Sequence, residues 1–163
     1  MIESIENWRW LLFALLAAAA LGDMLSMKIP NALPVIIASS SALILLASKA
    51  PASDFGAAAL SGLIGLGVGY GFYALGIMGA GDGKLFAAAA TWFTTGALLP
   101  VGLLMSLAGV AVALVLLAAR YLRGLNANDR NGGAFKAALK TPVPYGVAIA
   151  LGFFAAGQQL VTG

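Results

Sequence analysis

LFAAAATWFTTGALLPVGLLMSLAGVAVALVLLAA, residues Leu85–Ala119, runs for 35 residues without a formal charge. As one helix it would reach about 52 Å at 1.5 Å per residue. A bilayer's hydrocarbon core is only about 30 Å thick. The run must therefore break, and Thr94-Thr95-Gly96 followed by Pro100 carries the turn chemistry to break it. Outward from this stretch lie four more apolar runs: Trp8–Gly22, Ala32–Ala47, Phe55–Gly81 and Thr141–Thr162. With the long run split in two, the chain reads as an all-α polytopic membrane protein of six transmembrane helices. Several of these sit near or below the usual lower length for a span.

The composition agrees with that reading. Apolar residues make up 61% of the 163 residues and charged ones 9%, far from the balance of a soluble domain. One membrane domain, 1–163, accounts for the length, with a last transmembrane helix at roughly 143–161 and a basic loop at 123–140 before it. The chain has no cysteine and no histidine. Disulfides, thiol nucleophiles, Cys/His zinc sites and a Ser/His/Asp triad are thereby excluded. Chemistry here must use carboxylates, hydroxyls, lysines or the backbone.

The basic residues orient the spans. Six spans put Lys28, Lys84, Arg120, Arg123, Arg130, Lys136 and Lys140 on one face and only Arg9 and Lys49 on the other. By the positive-inside rule the first face is cytoplasmic and both termini are not. A five-span chain would lose much of this asymmetry. The segment before the first span carries Glu3 and Glu6 ahead of Arg9, which is not the positive n-region of a cleavable signal peptide. Residues 1–7 read as a frayed polar tail, with Trp8 and Trp10 as interfacial anchors.

Between Gly56 and Gly83 glycine recurs often. The pairs Gly65/Gly69 and Gly67/Gly71 have the small-xxx-small spacing that lets helices approach closely. Val68-Gly69-Tyr70-Gly71 is similar to a potassium-channel filter, but it lies inside a continuous apolar run and Gly67 stands where the filter has threonine.

Of the six acidic residues, Glu3, Glu6, Asp54 and Asp129 fall in tails or loops and read as solvated charges. Asp23 and Asp82 do not. Each closes or opens an apolar span, and the topology puts both on the cytoplasmic side at similar depth. An ionisable group in such surroundings points to function. Two carboxylates at one depth can activate a water, one taking its proton while the other donates to a carbonyl. The residues alone leave open a second arrangement, in which Asp23 and Asp82 are interfacial charges paired with Lys28 and Lys84.

The flanking residues bear on that choice. The chain reads Asp23-Met24-Leu25-Ser26-Met27-Lys28-Ile29-Pro30-Asn31 around the first carboxylate and Gly79-Ala80-Gly81-Asp82-Gly83-Lys84-Leu85 around the second. Together these resemble the two signature motifs of the type IV prepilin peptidases, D-x4-[RK]-I-P-N and G-x-G-D-x-K-L. The resemblance covers a peptidase core of roughly 8–122, and Pro142-Val143-Pro144-Tyr145-Gly146 fits the family more loosely.

That resemblance implies a polytopic GxGD aspartyl protease with Asp23 and Asp82 as the catalytic pair. Lys28, Ile29, Pro30, Asn31, Gly79, Gly81, Lys84 and Leu85 would be its supporting motif residues. The implied activity is removal of a basic leader from type IV pilin-like substrates at the cytoplasmic face of the cell (inner) membrane. Gly79 and Gly81 would free the backbone around Asp82, Pro30 would turn the chain back after Asp23, and Lys28 would anchor its helix at the headgroups.

Larger family members carry paired cysteines and an N-methylating activity. This chain has neither the cysteines nor a long segment before its first span, so methyl transfer and S-adenosylmethionine are not expected. It is similar to the short standalone peptidases of Flp/Tad-type pilus systems or archaeal preflagellin enzymes, and lacks the Pro-Ala-Leu element of presenilin-like proteases. The expected partners are prepilin or pseudopilin substrates and the lipid bilayer, with no nucleic acid, no cofactor and no metal. The competing reading is an ion- or proton-coupled transporter or channel using the two aspartates.

Overall fold

The computed structural model describes residues 1–126 and 145–162, and these form helices and turns without a strand. Among the described residues six α-helices follow in order: α1 (Arg9–Ser26), α2 (Ala32–Ala47), α3 (Ala52–Ala74), α4 (Ala80–Ala90), α5 (Leu98–Asn126) and α6 (Tyr145–Thr162). The break expected in the long apolar run is present. α4 ends at Ala90, and a 3-10 turn at Thr95–Ala97 leads into α5. Pro100 falls in the first turn of α5, where its missing N–H costs no helical hydrogen bond.

Three segments are long and apolar enough to cross a membrane: Glu3–Ser26, Ala52–Ala74 and Thr95–Ala119. Ala32–Ala47 and Tyr145–Gln158 are shorter apolar helices. α4 has 11 residues, about 16 Å of helix and half of a hydrocarbon core. It is an inner element. Leu85 through Ala90 are all buried, held between α3, α2 and α6. α5 and α1 both pack on α6, where Gly152 leaves room for Met105 and Gly157 for Phe13. Phe153 joins the two halves, its ring 5.5 Å from Phe86 and 5.3 Å from Phe93. Large apolar side chains such as Leu63, Leu99, Leu107 and Leu114 face outward. On a chain of membrane-length helices, that is the face offered to lipid.

Several expectations need correction. Residues 1–7 are not a frayed tail: Glu3–Trp8 form a 3-10 turn, Ile2 and Ile5 are buried, and the Ile2 N–H donates to the Trp92 carbonyl at 3.1 Å. Hydrophobic burial of two isoleucines outweighs the polarity of the neighbouring glutamates. Trp8 and Trp10 remain exposed, as interfacial anchors would be.

Asp54 is not in a loop. It lies in the first turn of α3 and accepts a hydrogen bond from the Ser4 hydroxyl. The third apolar run does not continue to Gly81, because α3 stops at Ala74 and Gly76 adopts a φ of +69°. Glycine takes that left-handed conformation without steric cost. α5 runs through Asn126, into the beginning of the expected 123–140 loop. The rest of that loop, with Asp129, Arg130, Lys136 and Lys140, lies outside the described residues, as do Pro142, Val143 and Pro144.

The glycine pairs divide. Gly65 and Gly69 sit against α4: a Cβ on Gly65 would lie 2.9 Å from the Ala90 Cβ, and one on Gly69 would lie 2.7 Å from the Gly83 Cα. Gly67 and Gly71 meet nothing within 4 Å and pack no helix. The channel-filter resemblance ends here too, since residues 68–71 are continuous α-helix.

Candidate active site

Asp23 lies in the last turn of α1 and is 6% exposed. The turn that follows it decides where the chain goes next. α1 ends at Ser26, whose hydroxyl donates back to the Gly22 carbonyl at 2.8 Å. Met27 then takes a left-handed φ of 52°, and its N–H donates to the Asp23 carbonyl at 2.8 Å. That is a helix C-terminus closed by a left-handed residue, a role glycine usually fills. Pro30 is therefore not what stops α1. It stands beyond the end, and its carbonyl accepts the Leu33 N–H at 3.0 Å as α2 begins.

Asp82 is the third residue of α4, not the end of α3. Its Oδ2 accepts the N–H of Gly79, the residue capping the helix, at 3.1 Å. Helix N-termini leave N–H groups without intrahelical partners, and an acidic side chain in the first turn satisfies one. A Cβ on Gly79 would lie 3.0 Å from that same oxygen, so the cap needs glycine's bareness. Gly83 meets Gly69 of α3 backbone to backbone. Gly69 is five residues inside the end of α3, which sets Asp82 about 7.5 Å along the bundle from that end.

The two carboxylates come together in one pocket of about 400 Å³, lined by Asp23, Met27, Lys28, Ile29 and Asn31 from one side and Gly79–Asp82 with Lys84 from the other. The alternative pairing with lysines does not occur. Among the described residues the one ion pair is Arg9 with Glu6, at 3.5 Å. Lys84 instead donates from Nζ to Asn31 Oδ1 at 3.1 Å, tying the start of α4 to the start of α2. Lys28 is exposed at the pocket's rim. Ile29 lies beside Gly81, where a Cβ would come within 3.4 Å of the Ile29 Cβ. Leu85 is fully buried and serves the core. Pro30 does not line the pocket.

A sequence model of the type IV leader peptidase family matches residues 10–114. The chain belongs to that family. No curated protein and no solved structure matches it significantly. The matched residues of this leader peptidase family member contain both aspartates and every motif residue around them.

One site residue lies beyond that match. Gly146, in the first turn of α6, donates its N–H to Asp23 Oδ2 at 2.9 Å in a buried contact 123 residues away in sequence. A Cβ at this position would stand 3.0 Å from both the Cβ and Oδ2 of Asp23. Each aspartate is thus held by the backbone amide of a glycine at a helix N-terminus: Asp82 by its own helix, Asp23 by α6. In the sequence Tyr145-Gly146 belongs to the stretch Pro142-Val143-Pro144-Tyr145-Gly146 that fits the family only loosely. Nothing local to it signals a partner on α1.

Proposed function

We propose that this leader peptidase family member is an aspartic endopeptidase. Its Asp23 and Asp82 would cleave the basic leader from prepilin-like substrates of the Flp/Tad pilin and pseudopilin kind. The observation that carries the reading is the shared pocket: two carboxylates from separate helices, each tethered by a glycine amide, facing the same space. Two like charges that close in a poorly solvated site do not both ionise readily, so the pair tends to hold one proton. The ionised carboxylate takes a proton from a water as its oxygen attacks the scissile carbonyl, while the protonated carboxyl donates to the carbonyl oxygen. The tetrahedral diol then collapses. The C–N bond breaks, one carboxyl protonates the departing amine, and the other recovers the hydroxyl proton. Atoms and charges balance, and the pair returns with its single proton.

Membership in a peptidase family, not a transporter family, weighs against an ion- or proton-coupled role for the same residues. The basic-residue asymmetry supports a multi-pass inner-membrane protein with the pocket at the cytoplasmic face. Co-expression with a prepilin, read by the gel shift of the released leader, tests the assignment. Asp23→Ala and Asp82→Ala should each abolish processing, whereas Asp54→Ala and Asp129→Ala should leave it intact. Normal processing by either of the first two variants would sink the pair.

A further inference from the structure

Two residues other than glycine hold a left-handed backbone among the described residues: Met27 with a φ of 52° and Lys49 with a φ of 51°. That conformation crowds a Cβ against the following carbonyl oxygen, so glycine or asparagine is the usual occupant. A strained residue kept where glycine would sit more easily points to a use for its side chain. Lys49 follows the end of α2, is exposed, and does not line the carboxylate pocket. Met27 does line it. It stands four residues after Asp23, with its N–H on the Asp23 carbonyl.

The fold makes no use of the Met27 side chain. It is 43% exposed and stays outside both the buried core cluster and the side chains packed on it. Ending α1 does not require it either, because the closing hydrogen bond comes from the backbone. Apart from Ile29, the rest of the pocket lining is charged or amide side chains, glycines and one alanine. Ile29 is committed elsewhere, packed on the core and set beside Gly81. Among the described residues of the pocket, Met27 is the large apolar side chain left free to meet another molecule.

Its position relative to the chemistry is close. About one helical turn, roughly 5.4 Å, separates the Met27 backbone from that of Asp23. Successive residues of an extended chain are about 3.5 Å apart. A substrate residue flanking a carbonyl held at Asp23 therefore comes within reach of Met27. Methionine suits such a contact, being unbranched, flexible and able to fit apolar partners of different shape.

Resting on the peptidase reading, we propose that Met27 is a specificity-determining residue whose side chain contacts an apolar substrate side chain next to the scissile bond. Met27 fills the last of the four unspecified positions in the Asp23–Asn31 motif, so the motif does not dictate it. The contact ranks substrates by polarity at one position and leaves the reacting atoms alone. An amide side chain there loses water against a thioether that gives little back.

The test uses prepilin-like substrates carrying leucine or asparagine, which are close in shape, at each of the two positions flanking the cut. At one of them the wild type should favour leucine by about tenfold in kcat/KM, the scale of one apolar contact. Met27→Gly and Met27→Asn both suit the left-handed turn. Each should reduce that preference to about twofold or less, while Met27→Leu should retain it. Met27→Gly should melt no lower than wild type. Lys49→Gly should do the same and leave the preference unchanged. A merely structural Met27 would alter both substrates alike. A wild type without preference at either position, or a preference untouched by Met27→Gly and Met27→Asn, overturns the proposal.

Because the chain has no cysteine, a Met27→Cys variant offers one thiol. Under mild oxidation it should form a disulfide with a prepilin whose single cysteine stands next to the cut, and Lys49→Cys should not. Crosslinking needs no turnover. If no substrate is cleaved while Met27→Cys still captures the prepilin, the peptidase reading fails and the contact stands. If cleavage is normal and no disulfide forms, the peptidase reading stands and the contact fails.

Discussion

At the residue scale the site is built from glycines as much as from aspartates. Asp23 is buried, and its carboxylate accepts the Gly146 amide inside the bundle. Gly146→Ala keeps that N–H but pushes a methyl group to within 3.0 Å of the Asp23 Cβ and Oδ2. The cost of such overpacking is about 1–3 kcal/mol, and the carboxylate must turn or α6 must shift. The expected result is a folded protein with kcat lowered and KM for prepilin little changed; an unaltered kcat would show that the amide does not position Asp23. Isosteric Asp23→Asn and Asp82→Asn should each lower kcat by about 10²–10⁴, the usual worth of a general acid or base. The profile of kcat/KM against pH should be bell-shaped. Rate is lost on the alkaline side as the pair gives up its shared proton, and on the acid side as the second carboxylate takes one. Those limbs belong to the pair, so a single sigmoid in the wild type would contradict a one-proton dyad.

Elements position these residues through close backbone approach. α3 and α4 touch where Gly69 meets Gly83, and any side chain at Gly69 would run into the Gly83 backbone at 2.7 Å. Gly69→Ala should cost about 1–3 kcal/mol by overpacking and reduce cleavage, because Asp82 is one residue from the contact. Gly67→Ala, two residues away in open space, should be neutral or stabilising by about 0.5–1 kcal/mol through helix propensity. Thermal unfolding in detergent distinguishes the two, and equal melting shifts would remove the glycine contact as the cause. The sequence showed a small-residue stripe here but not which of its two glycine pairs faced a neighbour. Both pairs have the same spacing, and only the rotation of α3 about its axis selects Gly65 and Gly69. The end of α1 departs from the sequence expectation for a related reason. Proline is a visible stop signal, whereas Met27 in a left-handed turn breaks a preference that glycine normally meets.

Across the whole molecule, sidedness follows from the distribution of lysine and arginine. A cysteine-free chain makes it directly measurable. An impermeant thiol reagent added to intact cells should label a Lys49→Cys variant and spare a Met27→Cys variant until the membrane is permeabilised. The reverse pattern would put the carboxylate pocket on the other face. The short α4 shapes the same picture: a half-length helix wrapped by longer ones keeps Leu85 through Ala90 buried and brings its N-terminus, and Asp82 with it, against the bundle.

By itself the sequence determined that the chain is helical and rich in membrane-length apolar runs. It also determined that Leu85–Ala119 must break and that two aspartates stand in paired motifs. Each of these depends on hydropathy, length and turn chemistry within a few neighbouring residues, which one sequence displays in full. Only the tertiary structure decided that the N-terminal segment is buried, that Asp54 joins α3 to that segment, that Lys84 bonds Asn31 instead of an aspartate, and that Gly146 holds Asp23. These contacts join residues 50 or more positions apart, and which partner a side chain meets across that distance is set by how the helices rotate and lean when their apolar faces are packed.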